Sequence, residues 1–95
     1  MAVYVVFERD STQDQAELDT YSRKVAPTLE GHPVKVLAAY GQHEQLEGPP
    51  IEGAVIVEFP TIEAAKAWYF SPAYQEVMQH RKKGATYRAF IIVGR

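Results

Sequence analysis

Four stretches of the chain are rich in β-branched and aromatic residues: "AVYVVFE" from Ala2, "VKVLAAYG" from Val34, "AVIVEF" from Ala54 and "TYRAFIIVG" from Thr86. Each reads as a strand, the second reaching toward His43, and apolar side chains occupy both alternating parities. A strand points successive side chains to opposite faces, so a sheet built from these segments needs cover on both sides. One parity holds Val3, Val5, Phe7, Val55, Val57, Phe59, Ala89, Ile91 and Val93, and is expected to lie beneath helices. The other holds Tyr4, Val6, Leu37, Ala39, Ile56, Phe90 and Ile92. A half-solvated antiparallel sheet would carry polar residues there.

Between the strands the pattern turns helical. Thr12 with Gln15, and Ser11 with Asp14, have capping-box spacing, and Leu18, Tyr21, Val25 and Leu29 then recur as one apolar stripe. Gly31 and Pro33 stop this helix, and Pro27 bends or shortens its end. "EQLEGPPIEG" is a polar loop. Thr61 caps a helix through "IEAAKAWY", and Ser71-Pro72 starts another, with a hydroxyl at the N-cap and proline at the first helical position. That second segment ends in "HRKKG", with cations facing the negative end of the helix dipole and Gly84 available for a left-handed cap.

The order strand, helix, strand, strand, helix pair, strand predicts a single α+β domain over residues 1–95, a ferredoxin-like βαββαβ fold. Its four-stranded antiparallel sheet has the order 4-1-3-2, with the helices on one face. No element is left to cover the other face. Exposing an apolar sheet face forfeits about 25 cal/mol for each Å² that could be buried, so a second copy packed face to face, a homodimer, is the expected solution.

Composition removes several function classes. Ten basic and twelve acidic residues leave a net charge of −2, which offers no attraction to nucleic acid or an anionic membrane. "EGAVIVEF" occupies the place of an RNA-recognition signature, but Glu52 stands where a basic residue is needed, and Ala54 and Ile56 stand where stacking aromatics belong. Without cysteine there is no disulfide, thiolate nucleophile or cysteine-ligated zinc, which fits a cytoplasmic setting. No run approaches the roughly 20 apolar residues of a membrane span, and "MAVYVVFERD" reads as a strand rather than a leader. His32, His43 and His80 are scattered without a carboxylate at ligand spacing, so no metal site is predicted.

The polar residues of the second face supply the candidate site. With strands 1 and 3 taken as parallel neighbours, and 4 and 2 antiparallel outside them, Arg88, Glu8, Glu58 and Lys35 form a row at one end of the sheet. Two readings of that row stand. Adjacent carboxylates flanked by cations can poise one acid for proton transfer, with Glu58 and Arg88 as catalytic candidates. Alternatively, the row is a charge ladder that fixes register and dimer alignment. In "AWYFSPAYQ", Trp68 and Tyr69 are adjacent on one helix and cannot both face the sheet: Trp68 is assigned to packing and Tyr69 to a pocket wall, with Tyr74 able to meet either. Tyr4, Glu8, Lys35, Tyr69 and Tyr74 are the candidate ligand-binding residues, and the pocket is placed among Tyr4, Glu58, Tyr69 and Arg88.

"VEFPTIEAAKAWYFSPAYQ" followed by "HRKKGATYRAFIIVG", with the "AVYVVFERD" start and "LEGHPVKVLAAYG" middle, resembles domain of unknown function 1330, within the dimeric α/β-barrel superfamily. The resemblance implies the same fold, a homodimer, and a small-molecule pocket between sheet and helices. It names no reaction. The wider superfamily includes small monooxygenases, decarboxylase-like and cyclase-like enzymes that often work without metal or organic cofactor, so no cofactor is expected. Two functions follow as expectations: a cofactor-independent enzyme (monooxygenase-, isomerase- or cyclase-like) acting on a small aromatic or enolisable metabolite, or a non-catalytic ligand-binding or structural dimer.

Overall fold

The strand-forming runs pair into one sheet in the computed structural model, which describes residues 2–95. The elements are β1 (Val3–Thr12), α1 (Gln15–Thr28), β2 (Lys35–Ala39), β3 (Gly53–Phe59), α2 (Ile62–Tyr69), α3 (Pro72–Gly84) and β4 (Ala85–Val93). The sheet order is β2-β3-β1-β4, the expected 4-1-3-2 arrangement. Every neighbouring pair is antiparallel, including β1 with β3. The expectation of parallel β1 and β3 is therefore corrected. A crossover through α1 makes β2 run parallel to β1, and the reversal after β2 turns β3 against both of its neighbours. None of the described helices is long and apolar enough to cross a membrane.

Local chemistry sets the element ends. β1 outruns its expected end near Glu8, because Ser11 and Thr12 continue to pair with Thr86 and Ala85 beyond an irregularity at Asp10. The Thr12 hydroxyl and amide both donate to the Glu52 carboxylate. With both hydroxyl residues committed to the strand, Asp14 becomes the N-cap of α1 and accepts from the amides of Ala16 and Glu17. Thr61 accepts from the Ala64 amide at 3.0 Å and Ser71 from the Tyr74 amide at 3.2 Å, so α2 and α3 begin as their sequences indicate. Gly84 does not supply a left-handed cap. It supplies room: a Cβ there would lie 2.7 Å from Leu18 Cδ2 and 3.1 Å from the Asp14 carbonyl oxygen. Its own carbonyl accepts from the amides of Gln13 and Asp14, at 2.8 and 2.9 Å, which ties the end of α3 to the start of α1.

The helices cover the middle of the sheet and little else. Val3, Val5 and Phe7 of β1, Val57 and Phe59 of β3, Ala65 and Trp68 of α2, and Tyr74 and Met78 of α3 form the buried core. All of β2 is exposed, as are Ala89 and Val93 of β4 despite their inward parity. In β2, Val36 opposes Val57 and Ala38 opposes Ile56, so the irregularity around Leu37 shifts the alternation. Ala39 consequently joins Val55 on the helix side, a correction to its expected place on the open face. On that open face Val6 pairs with both Ile56 and Phe90, and Tyr4 with Ile92. Phe90 and Ile92 remain 48% and 53% exposed, with no described element over them.

Substituting Gly84→Ala should destabilise the chain by roughly 1–3 kcal/mol, the usual cost of overpacking, because the Asp14 backbone cannot yield as a side chain tip can. Urea unfolding measures this. Adding Leu18→Ala should make the pair less harmful than the sum of the two single changes, and strict additivity would contradict the contact.

Candidate functional site

The antiparallel register divides the predicted charge row in two. Glu58 opposes Tyr4 on one side and Lys35 on the other, whereas Arg88 opposes Glu8 four positions further along β1. At about 3.4 Å per residue the two carboxylates sit roughly 14 Å apart along the strand, too far to share a proton. Arg88 joins Glu8 at 3.2 Å and Asp10 at 3.3 Å, and its side chain is 67% exposed. Glu58 and Lys35 border a surface groove at the other end of the sheet, with His32 and Pro33. Tyr4, opposite Glu58, stands at that same end on the open face.

The aromatic joint also separates. Trp68 is buried, stacked on Phe59 at 5.8 Å and edge-on to Phe7 at 6.3 Å, and its indole N–H donates to the Thr28 hydroxyl at 3.1 Å. Tyr74 is fully buried, with its hydroxyl 2.9 Å from that of Tyr21. Tyr69 is half-buried and borders two grooves beside β4. The Glu17 carboxylate and His80 Nδ1, 2.7 Å apart, link α1 and α3.

A different set of residues surrounds the most apolar cavity. About 240 Å³ is left between α1 and the sheet on the β2 side. Val25, Ala26 and Leu29 of α1 form one wall; Phe7, Val55 and Val57 form the opposite wall; Val36 and Ala39 of β2 close the edge, with Trp68 at the base. The polar groups are Tyr21, Tyr40 and Arg81. Among the described residues, no Asp, Glu or His lines this space.

Arg81 is the unusual member. Read from sequence as one of the dipole-facing cations of α3, it instead continues that helix's buried face: Tyr74, Met78 and Arg81 follow the i, i+4, i+7 spacing of a core stripe. That spacing was the available signal. Only 4% exposed, its guanidinium carbon lies 5.3 Å from the Phe7 ring centroid and 4.9 Å from that of Tyr87. Among the described residues it forms no ion pair, and its Nε has no hydrogen-bond partner. Burial works against its charge, but the hydroxyls of Tyr74 and Tyr21 outweigh that and hold its pKa above the ordinary arginine value. It stays cationic.

Tyr40 borders the cavity from the end of β2. Its backbone is left-handed, with φ of 55°, unusual for a residue other than glycine. Residues of β1 and β3 pack against its ring there. The ring packs so closely on Gly53 that a Cβ there would meet its Cδ1 at 2.8 Å, and the Arg9 guanidinium sits 4.8 Å from the ring centroid, itself paired with Glu52 at 3.1 Å. The Tyr40 hydroxyl reaches that of Tyr87 at 2.6 Å. Burial, then the contact with Tyr87, raises the Tyr40 pKa; burial, then the charge and hydrogen bond of Tyr74, raises that of Tyr21. Both are neutral donors at physiological pH. Each hydroxyl pair contains two protons and uses one between its oxygens, so each has one O–H left to donate. Neither Tyr21 nor Tyr40 was singled out as polar site chemistry from sequence, since Tyr21 reads as part of an apolar stripe and Tyr40 as a strand residue.

A family model described as a domain of unknown function, DUF1330, matches residues 2–95. No curated protein sequence matches the chain. Among solved structures, a protein of unknown function from Rhodopseudomonas palustris is 22% identical with a TM-score of 0.74, covering 96% of this chain and 80% of its own. A protein from Bacteroides fragilis, described as dimeric, of unknown function and ferredoxin-like, has a TM-score of 0.69 at 9% identity, covering 96% and 94%. SnoaB from Streptomyces nogalater, a cofactor-independent oxygenase, has a TM-score of 0.64 at 11% identity, covering 99% and 93%. At these identities the likeness establishes a shared fold.

Proposed function

The chain belongs to the family described as domain of unknown function 1330, and we propose that it acts as a homodimer in which each subunit holds one small, largely apolar molecule in the cavity bordered by Tyr40. One observation carries the reading. An apolar-walled space of about 240 Å³ remains in a domain with a thin core, and it is bordered by Ala26 and Ala39, where larger side chains would fill it. Protein interiors pack closely, and deleted volume costs about 24 cal/mol per Å³ where it is sealed from water. Leaving such space is reasonable when something occupies it. Its volume lies below the roughly 300–1,000 Å³ of drug-sized pockets, which suits a single ring or a short branched chain.

The dimeric half of the proposal rests on Phe90 and Ile92, half-exposed beside Val6 and Ile56 on a face that this chain does not cover. The dimeric description of the similar Bacteroides fold supports it. Tyr4, Lys35 and Glu58 at one end of that face, and Glu8 with Arg88 at the other, are assigned to alignment of the two sheets. In this proposal Tyr69 and Tyr74 support the cavity indirectly, Tyr74 through Tyr21.

A second, catalytic reading is favoured by the polar end of the same cavity. Two neutral phenols and a buried cation are suited to stabilising negative charge as it forms on an enolising or aromatic molecule. The similarity in fold to a cofactor-independent oxygenase is compatible with this. The cavity contains no carboxylate or histidine base, so binding is the reading with the stronger support.

Light scattering at micromolar concentration should give twice the 10.7 kDa chain mass, and Phe90→Glu combined with Ile92→Glu should give the single chain. A wild-type monomer would contradict the dimer. Trp68, the one tryptophan, reports on the cavity directly. Benzyl alcohol should change its fluorescence saturably, and Ala39→Phe should weaken that response at least tenfold without changing the oligomer; an unresponsive Trp68 at millimolar probe would remove the cavity from consideration.

A further inference from the structure

The proposed binding site has two unlike ends. One is hydrocarbon from α1, β2 and β3. The other is Arg81, buried with no carboxylate beside it among the described residues, and taking a charge out of water is costly unless it is paired. The Phe7 and Tyr87 rings compensate in part, because a desolvated cation is attracted to an aromatic face. Neither ring is an acceptor for the N–H groups of the guanidinium. Arg81 borders a cavity with no carboxylate among its described wall residues, and its buried Nε has no hydrogen-bond partner. The hydroxyls nearby form two pairs, Tyr21 with Tyr74 and Tyr40 with Tyr87, each with a spare O–H. The polar end is thus rich in donors and carries a positive charge.

We infer that Arg81 is the anion-binding residue of this cavity, and that the ligand is a small monocarboxylic acid whose ring or branched chain lies against Val25, Leu29 and Val57 while its carboxylate meets the guanidinium. A carboxylate matches the fork of an arginine and supplies the acceptors that the aromatic faces cannot. Tyr21 and Tyr40 then limit the ligand's size at the polar end. A dianion or phosphate is a poor fit, because a single cation serves a space otherwise apolar. The inference rests on the cavity being a binding site, and its test separates the two.

The test uses the intact protein labelled with ¹⁵N at arginine and titrates it with benzoate and 4-methylpentanoate, using benzyl alcohol and 4-methylpentan-1-ol as size-matched neutral controls. The acids should shift the Arg81 Nε–H resonance and bind at least tenfold more tightly than their alcohols. Arg81→Met should abolish that preference, and Arg81→Lys should keep part of it. The wild-type titration decides the matter even if Arg81→Met does not fold. Equal binding of acids and alcohols, with the Arg81 resonance unmoved, would overturn the anion site and leave the apolar cavity standing. Failure of all four probes at millimolar concentration would overturn both.

Discussion

A single layer of helix is asked to cover a four-stranded sheet that is apolar on both sides, and it reaches only the middle. β1 and β3 contribute the buried valines and phenylalanines, whereas β2 is exposed along its whole length and β4 over most of it. Three features follow from that shortfall. The inner side of β2 stands away from α1 and leaves the apolar cavity; the inner side of β4 leaves the grooves beside Tyr69; and the outer face leaves Phe90 and Ile92 without cover from this chain. A larger domain would fill these places with more chain. At 95 residues the material is not there, and small domains bury a lesser share of their surface.

Short-range chemistry was readable because it depends on residues within a turn of each other. Thr61, Ser71 and Pro72 begin their helices as their types dictate, and the four apolar runs become the four strands in the expected order. Trp68 faces inward because its neighbour Tyr69 cannot do so from the same turn. What failed depended on partners distant in sequence. Glu8 and Glu58 were brought together only by a wrong strand direction, and direction belongs to the crossover, not to either strand. The irregularity at Leu37 changes which side Ala39 occupies, and strict alternation cannot anticipate an extra residue. Gly84 was read for its backbone freedom, whereas it is needed because Leu18 and Asp14 come so close.

Arg81 shows how a sound local rule can miss a buried charge. A cation in the last turn of a helix is favourable beside the dipole, and Arg81, Lys82 and Lys83 all satisfy that rule. Only the periodicity with Tyr74 and Met78 distinguishes the first from the other two, and it places a charge where a hydrophobe would be expected. Aromatic rings and raised-pKa phenols surround it, so the charge is tolerated without being neutralised. Tyr40, held in left-handed backbone by Gly53 and Arg9, adds a second local cost at the same place. Two such expenses at one cavity are consistent with a site rather than a packing flaw.

The most direct measurement is a crystal structure of the protein as purified, without added ligand, examined at the space between α1 and β2. That space is expected to stay open, with Arg81 turned inward and density ending in two oxygens against its guanidinium. Contradiction would come from a collapsed cavity, with Leu29 or Tyr40 filling the volume and Arg81 swung out to solvent.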